Sequence, residues 1–250
     1  MSNSSLVSYT KISPNKNSPR NHVIDTITIH CVVGQCTVET LGSIFANPDR
    51  KASSNYGIGA DGRIGLYVDE GDRSWCSSSA SNDNRAITIE VASDTYHPYA
   101  VRDAAYNALI DLLEDICKRN NIKQLLWKAD KNLIGQIDQQ NMTAHRWFAA
   151  KACPGDWLYS RFGEIANLVN QRLEGDNEQM TQEQFNEYMK NYLTQLAESP
   201  ETWGSDILAW GKENGLVKGD DLGRVMPNKF MTRLECLTML KRLYEKIKKK

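Results

Sequence analysis

The sequence lacks several features that would assign it to a specialised class of protein. It has no run of about 18 apolar residues, so no transmembrane helix is predicted. The N-terminus lacks the apolar core of a signal peptide, and we expect synthesis in the cytoplasm. The six cysteines show no paired spacing, which argues against a disulfide scaffold.

An excess of positive charge is also missing. The chain has 30 Lys and Arg against 31 Asp and Glu, which gives a formal net charge of -1. Because nucleic-acid binders gather basic residues to displace phosphate counterions, we expect no nucleic-acid partner. Hydrophobic residues make up 40% of the 250 residues, which is enough for a sizeable core.

Two segments predict β-strands that each carry a polar side chain of interest, His30 in the first and Glu90 in the second. Residues 23–29 are rich in β-branched side chains and predict a buried strand with His30 at its end. Residues 86–91 alternate between aliphatic and polar side chains, so a strand there buries the aliphatic set and turns Glu90 to the opposite face.

Two further segments also predict strands. Within residues 55–68, Asp61-Gly62 separates two strand-like runs, and this dipeptide favours the positive φ angles of a tight hairpin turn. Residues 122–127 form another strand-like run.

Helical spacing accounts for the rest of this part of the chain. Thr37 is a suitable N-cap for a short helix whose buried side would carry Leu41, Ile44 and Phe45. Apolar residues at three- and four-residue steps predict a long helix within 101–120 and a last helix over 158–173.

These elements predict an α/β fold, a mixed central β-sheet flanked by helices, with a second, smaller all-helical domain. The polar residues 174–180 mark the expected boundary, and the signals beyond it are helical. We therefore expect domains at residues 1–175 and 181–250.

Two of the four histidines lie in informative positions. His30 ends a predicted strand, and His145 lies eight residues before Cys153. A catalytic zinc ion takes imidazole and thiolate ligands and keeps one open position beside three protein ligands, a set that these residues would complete. From spacing alone, a buried histidine with a satisfied hydrogen bond and an inert buried thiol remain the simpler alternative.

Lys151 is a candidate for the same site. If residues 151–153 are extended, positions two apart project to the same side, so Lys151 and Cys153 would face one site. A lysine there could stabilise a developing oxyanion. A solvated surface lysine is the alternative.

Four segments carry a family resemblance: T-I-H-C at 28–31, S-N-Y-G-I-G at 54–59, I-T-I-E at 87–90 and T-A-H-R-W-F-A-A-K-A-C-P-G at 143–155. In this order they resemble the N-acetylmuramoyl-L-alanine amidase type 2 family, which includes bacteriophage lysozyme-type amidases and peptidoglycan recognition proteins. The resemblance extends over about residues 20–173. It implies that His30, His145 and Cys153 bind Zn²⁺.

The resemblance also implies roles for three groups beside the metal. It points to Tyr56 and Lys151 as assisting groups. Glu90 corresponds to a strand glutamate found near the metal in many relatives, where it acts as general base or orders the water. Relatives divide this work differently, so the resemblance does not say which of the three transfers the proton.

Substrate contacts are predicted just before the glutamate strand. Trp75 and the S-N-D-N-R run at 81–85 precede it, and we take Trp75, Asn84 and Arg85 as candidate contacts to sugar or peptide. A solvated loop explains this segment equally well.

The C-terminal residues 203–244, which include T-R-L-E at 232–235, are similar to a single S-layer homology repeat. In that family three repeats usually cooperate. We hypothesise that residues 181–250 form a small helical module that binds a cell-wall polymer or forms homo-oligomers.

The sequence therefore predicts a zinc-dependent amidase that hydrolyses the bond between N-acetylmuramic acid and L-alanine in peptidoglycan. Such an endolysin or autolysin would act on the cell wall after release. One alternative is a non-catalytic peptidoglycan-binding protein of the same fold. Another is a cysteine hydrolase with Cys31 or Cys153 as nucleophile and His145 as base.

Overall fold

The computed structural model describes residues 2–175, 182–198, 205–218 and 233–248. The chain divides into two compact units, residues 1–178 and 179–250. Residues 176–180 of the expected boundary lie outside the described residues. Among the residues that the structure describes, no helix is both long enough and apolar enough to cross a membrane.

The first unit is built on a mixed six-stranded sheet. Its strands are β1 (Val7–Thr10), β3 (Thr26–Cys31), β4 (Tyr56–Ile58), β5 (Ile64–Leu66), β7 (Ala86–Val91) and β8 (Met142–Thr143). Their spatial order is β1-β5-β4-β7-β3-β8, with β4 and β5 antiparallel and the other neighbours parallel. Two short strands, β2 (Lys16–Asn17) and β6 (Arg73–Ser74), pair separately. The predicted fold class is confirmed.

Five helices accompany this sheet. They are α1 (Val38–Phe45), α2 (Ala80–Arg85), α3 (Asp103–Arg119), α4 (Gly155–Tyr159) and α5 (Phe162–Gly175). Apolar side chains of α3 and α5 share one buried core with Ile29 of β3 and Ile89 of β7. Burial of this β-branched face is what fixes the register of the central strands.

The structure confirms two local predictions. Thr37 caps α1 by accepting a hydrogen bond from the backbone N–H of Thr40. The chain turns between β4 and β5 with Gly62 at φ +84°, as the Asp61-Gly62 dipeptide predicts.

Residues 122–127 do not form the predicted strand. Side chains bind their backbone groups instead: the N–H of Leu125 donates to Asn170 Oδ1 at 2.7 Å, and the N–H of Leu126 donates to Asn141 Oδ1 at 2.8 Å. These side-chain hydrogen bonds satisfy backbone groups that a neighbouring strand would otherwise bind.

Two helix predictions need smaller corrections. The helix predicted over 158–173 is two helices, α4 and α5, because the chain turns at Ser160 and Arg161. Ile44 of α1 does not lie on the buried side with Leu41 and Phe45, since 36% of it is exposed.

The described residues of the second unit form the helices α6 (Gln182–Glu198), α7 (Ser205–Glu213) and α8 (Arg233–Lys248). Within the T-R-L-E motif, Thr232 lies outside the described residues, and the other three residues open α8. The similarity to an S-layer homology repeat stays a prediction.

Candidate metal centre and cleft

The site begins on two neighbouring parallel strands. His30 of β3 lies directly across from Glu90 of β7, while Ile29 lies across from Ile89. Because side chains alternate along a strand, His30 and Glu90 share the face opposite the core. This is the orientation of Glu90 that the alternating pattern predicts.

His145 and Cys153 reach this face from the segment after β8. β8 pairs with β3 through Thr28 and Thr143, and a short 3₁₀ helix starts at His145. The N–H of Arg146 donates to the carbonyl of Cys153 at 3.1 Å, which folds the segment back beside His145. Residues distant in sequence are thereby brought together.

A polar network beneath the site holds these elements in place. Thr28 Oγ1 and Thr143 Oγ1 lie 2.8 Å apart. Asn82 of α2 donates to Thr28 Oγ1 at 2.9 Å and accepts from Thr143 Oγ1 at 3.0 Å. All three residues are buried, so the hydrogen bonds fix α2 and β8 against β3.

The three predicted metal ligands converge. His30, His145 and Cys153 offer ligand atoms that all lie within 4.8 Å of one another, and Cys153 Sγ is 3.3 Å from His30 Nδ1. Ligand bonds of about 2.0–2.3 Å in a tetrahedral arrangement place donor atoms roughly 3.3–3.8 Å apart. Cys153 Sγ and His30 Nδ1 thus already have the separation of two zinc ligands.

The surroundings of the histidines suit a metal. Burial, with a smaller contribution from His145, lowers the pKa of His30 to about 3. Burial and the positive charge of Lys151 lower the pKa of His145. Both imidazoles are therefore neutral near pH 7, which is the form that binds a cation. The buried Nε2 of His30 has no hydrogen-bond partner in the described structure.

Glu90 lies beside these ligands and has few hydrogen-bond partners among the described residues. Its Oε2 is buried and unpartnered within the described residues, and its Oε1 accepts only a long hydrogen bond from Cys76 Sγ at 3.8 Å. Burial, with a smaller effect of Cys31, raises the pKa of Glu90 to about 8. A nearby cation would favour the carboxylate form.

A cleft of about 420 Å³ opens over the site. His145 and Glu90 line it together with two residues predicted from the sequence, Lys151 and Trp75. The indole Nε1 of Trp75 donates to Asn17 Oδ1 at 2.6 Å, which fixes the ring at the wall of the cleft. Lys151 and the predicted ligand His145 therefore line the same cleft.

Tyr56 does not reach the cleft, contrary to the sequence prediction. Tyr56 pairs with Ile89 of β7, whereas the next residue of β4 pairs with Glu90. The fully buried side chain of Tyr56 belongs to the core. Its hydroxyl donates to Glu70 Oε1 at 2.6 Å and accepts from the N–H of Ser4 at 2.9 Å. Strand alternation therefore sends Tyr56 to the face opposite the metal ligands.

Asn84 and Arg85 are also misplaced by the sequence prediction. They belong to the helix α2 rather than to a loop, and neither lines the cleft. Arg85 makes a bidentate ion pair with Asp25 at 3.0 and 2.6 Å. Asn84 accepts from the N–H of Asn21 and donates to the carbonyl of Ala80. Both side chains hold the entry to β3 against α2.

Several cleft residues were missed by the sequence analysis. Cys76 lies beside Glu90, and Ser78 Oγ is 3.0 Å from His145 Nε2. Basic side chains also line the cleft, at Arg50, Lys51 and Arg73. The position of Cys76 directly after Trp75 is a weak signal, and nothing in the spacing of the others points to this site.

Comparison with known proteins identifies the family. The family model described as N-acetylmuramoyl-L-alanine amidase matches residues 20–156, more than half of the chain. The chain belongs to this family. The matched residues include His30, Glu90, His145 and Cys153, and the matched range ends before α5 begins. None of the curated proteins compared with the chain matches it.

Solved structures with a similar fold include a mutant of PlyL, a mutant endolysin from Bacillus subtilis and a selenomethionine derivative of AmpD. They are 14%, 16% and 21% identical to this amidase family member, with TM-scores of 0.48, 0.47 and 0.46. The matches cover 64%, 64% and 65% of this chain and 96%, 97% and 96% of the other chains.

Proposed function

We propose that the protein is a zinc-dependent amidase that hydrolyses the amide bond between N-acetylmuramic acid and L-alanine in peptidoglycan. The observation that carries the proposal is the convergence of His30, His145 and Cys153, with His145 lining an open cleft, within a family of amidases. A binding protein needs no such set of neutral imidazoles and a thiol.

The donor set fits zinc. Two imidazoles and one thiolate are ligands that zinc prefers, and three protein ligands leave one position for water or substrate. The close contact between His30 Nδ1 and Cys153 Sγ supports a cation here. When bound, zinc would polarise the scissile carbonyl and lower the pKa of a water molecule.

The remaining steps are assigned to side chains that line the cleft. Glu90 faces the ligand set and has a carboxylate oxygen without a partner among the described residues, so we assign it the removal of a proton from the attacking water. Lys151 lies close enough to His145 to lower its pKa, and we assign it stabilisation of the oxyanion. Tyr56 has no part in this scheme.

The cleft is also suited to an anionic peptide. Arg50, Lys51 and Arg73 line it in addition to Lys151, against the two acidic residues Asp83 and Glu90. Asp83 is occupied by hydrogen bonds from the N–H groups of Cys76 and Ser77. The excess positive charge would attract the carboxylates of a wall peptide.

Digestion of purified peptidoglycan tests the proposed function. We expect new L-alanine amino termini without new reducing sugar ends, and we expect a zinc chelator to stop their release. Reducing ends without new amino termini would identify a glycosidase instead. Activity that survives the chelator but is abolished by thiol alkylation would identify a cysteine hydrolase.

A further inference from the structure

A second set of metal-binding side chains shares His30 with the first. His30, Cys76 and Glu90 each offer one ligand atom, and these atoms lie within 4.8 Å of one another. Cys76 comes from the segment between β6 and α2, whereas His145 and Cys153 come from the segment after β8. The two sets therefore approach His30 from different parts of the fold.

Unpartnered polar atoms mark this second set. Two buried atoms without a hydrogen-bond partner, His30 Nε2 and Glu90 Oε2, belong to it. Buried polar atoms in folded proteins almost always have a partner, so an atom left alone in a ligand group calls for an explanation. A cation would satisfy both atoms.

The donors of the second set also select the ion. A thiolate, an imidazole and a carboxylate are all ligands that zinc accepts, and the sulfur disfavours magnesium and calcium. The set therefore has the same chemical preference as the first, except that a carboxylate replaces one imidazole.

A single histidine limits how the two sets are used. A neutral imidazole has one nitrogen with a free lone pair, because the other nitrogen carries the proton. His30 Nδ1 lies next to Cys153 Sγ, and Nε2 is the nitrogen left without a partner. His30 can therefore bind one ion at a time, and the two sets are alternative positions rather than a pair.

We propose that His30, Cys76 and Glu90 form a second, alternative zinc position, which the ion occupies when the first set is incomplete. An ion there binds the carboxylate that would otherwise take a proton from water, so this state is inactive. The inference rests on the proposed function for the identity of the ion and for the role of Glu90. Metal content by itself would then not report a working amidase.

Cobalt substitution in the full-length protein tests the proposal, because a bound thiolate gives a charge-transfer band in the near ultraviolet. Cys153→Ser breaks the first set and leaves Cys76 in place. We expect this variant to bind about one Co²⁺ per chain and to keep a thiolate band. Adding Cys76→Ser should remove the band and weaken Co²⁺ binding by about tenfold or more.

The matched control is Cys236→Ser in the same Cys153→Ser background, since Cys236 is a half-buried free cysteine in the second unit. It should leave the band unchanged. Cys153→Ala replaces Cys153→Ser if thermal unfolding shows that the serine variant does not fold.

Three outcomes would overturn the proposal. They are a Cys153→Ser protein that binds no Co²⁺, one that binds Co²⁺ without a thiolate band, and a band that persists in the double variant and so comes from another thiol such as Cys31. Peptidoglycan hydrolysis by the wild-type protein is measured separately, so failure of the amidase proposal leaves the cobalt result interpretable.

Discussion

Tyr56 belongs to a buried hydrogen-bond network centred on Glu70. Glu70 is 1% exposed, and it accepts hydrogen bonds from Tyr56, from the Arg119 guanidinium at 2.7 and 2.8 Å and from Asn120 at 3.1 Å. A buried carboxylate needs such donors, since an unpaired one would cost several kcal/mol. The network ties the hairpin to the end of α3.

Tyr56→Phe separates this structural role from a catalytic one. We expect the variant to lose about 1–3 kcal/mol of unfolding free energy, because Glu70 loses one donor in a buried site. Its kcat on peptidoglycan should stay within about twofold of wild type, a barrier change of only about 0.4 kcal/mol. Urea unfolding and single-substrate kinetics measure the two effects, and a large fall in kcat at unchanged stability would return Tyr56 to the active site.

Glu90→Gln tests the assignment of the proton-accepting group. The amide keeps the shape of the side chain but cannot take a proton, so kcat should fall by about 10²- to 10⁴-fold. Folding, followed by thermal unfolding, should be preserved. Glu39→Gln is the matched control, because Glu39 is an exposed glutamate of α1 paired with Arg63. Wild-type turnover in Glu90→Gln would transfer the role to another group.

Arg50→Gln tests whether the basic residues of the cleft bind the peptide. An exposed ion pair contributes about 0.2–1 kcal/mol, so we expect KM to rise by roughly 1.4- to 5-fold with little change in kcat. Arg172→Gln is the control, since Arg172 pairs with Asp111 and Glu114 and does not line the cleft. An equal change in both variants would mean a general charge effect rather than a binding contact.

At the scale of single residues, sequence alone could orient Glu90 but not Tyr56. The alternation of residues 86–91 fixes which face Glu90 occupies, because the aliphatic set must be buried. The three residues of β4, Tyr56–Ile58, are all buried, so no polar and apolar alternation shows which face Tyr56 takes. Cys76 was missed for another reason, since its contact with Glu90 depends on how the segment after β6 folds.

At the scale of elements, the turn between β4 and β5 depends on Gly62. Its φ of +84° is strained for any residue with a Cβ, and a Cβ there would lie 2.8 Å from the carbonyl oxygen of Ala104 in α3. The glycine therefore permits both the turn and the close approach of the hairpin to α3.

Gly62→Ala should destabilise the protein by about 1–3 kcal/mol through backbone strain, with some addition from the close contact. Gly71→Ala is the matched control, because a Cβ at Gly71 meets nothing within 4 Å. Chemical unfolding of both variants measures the difference. Equal stability of the two would show that the hairpin adapts without strain.

The elements that sequence failed to predict share a physical cause. Residues 122–127 have strand composition, but Asn141 and Asn170 supply the hydrogen bonds that a neighbouring strand would give. β2, β6 and β8 are each two residues long, too short for any alternation to show. Long elements with one buried face, such as α3 and β7, are the ones that their own pattern predicts.

At the scale of the whole molecule, the two units differ in how they bury apolar side chains. In the first unit, apolar side chains of α3, α5 and the central strands share one buried core. In the second unit, α8 carries large apolar side chains that are exposed, at Leu234, Leu237, Leu240, Tyr244 and Ile247. Exposed apolar residues in such number are typical of surfaces that bind other molecules.

Removal of the second unit tests the wall-binding or self-association role proposed for it. A chain that ends at residue 178 keeps the whole compact first unit, including the metal ligands, Glu90 and α5. We therefore expect it to hydrolyse a soluble muramyl peptide with the kcat of the full chain. Because tethering to a wall raises the local substrate concentration, its hydrolysis of intact walls should fall by about tenfold or more.

Sedimentation with purified walls and light scattering in solution separate the two roles. Weaker wall binding by the shorter chain, with both proteins monomeric, would support a wall-binding module. A full-length oligomer that becomes monomeric on truncation would support self-association, since exposed apolar faces of α8 would then be covered by a second copy. Equal wall binding by two monomeric proteins would contradict both roles. The second unit would then have a function other than wall binding or self-association.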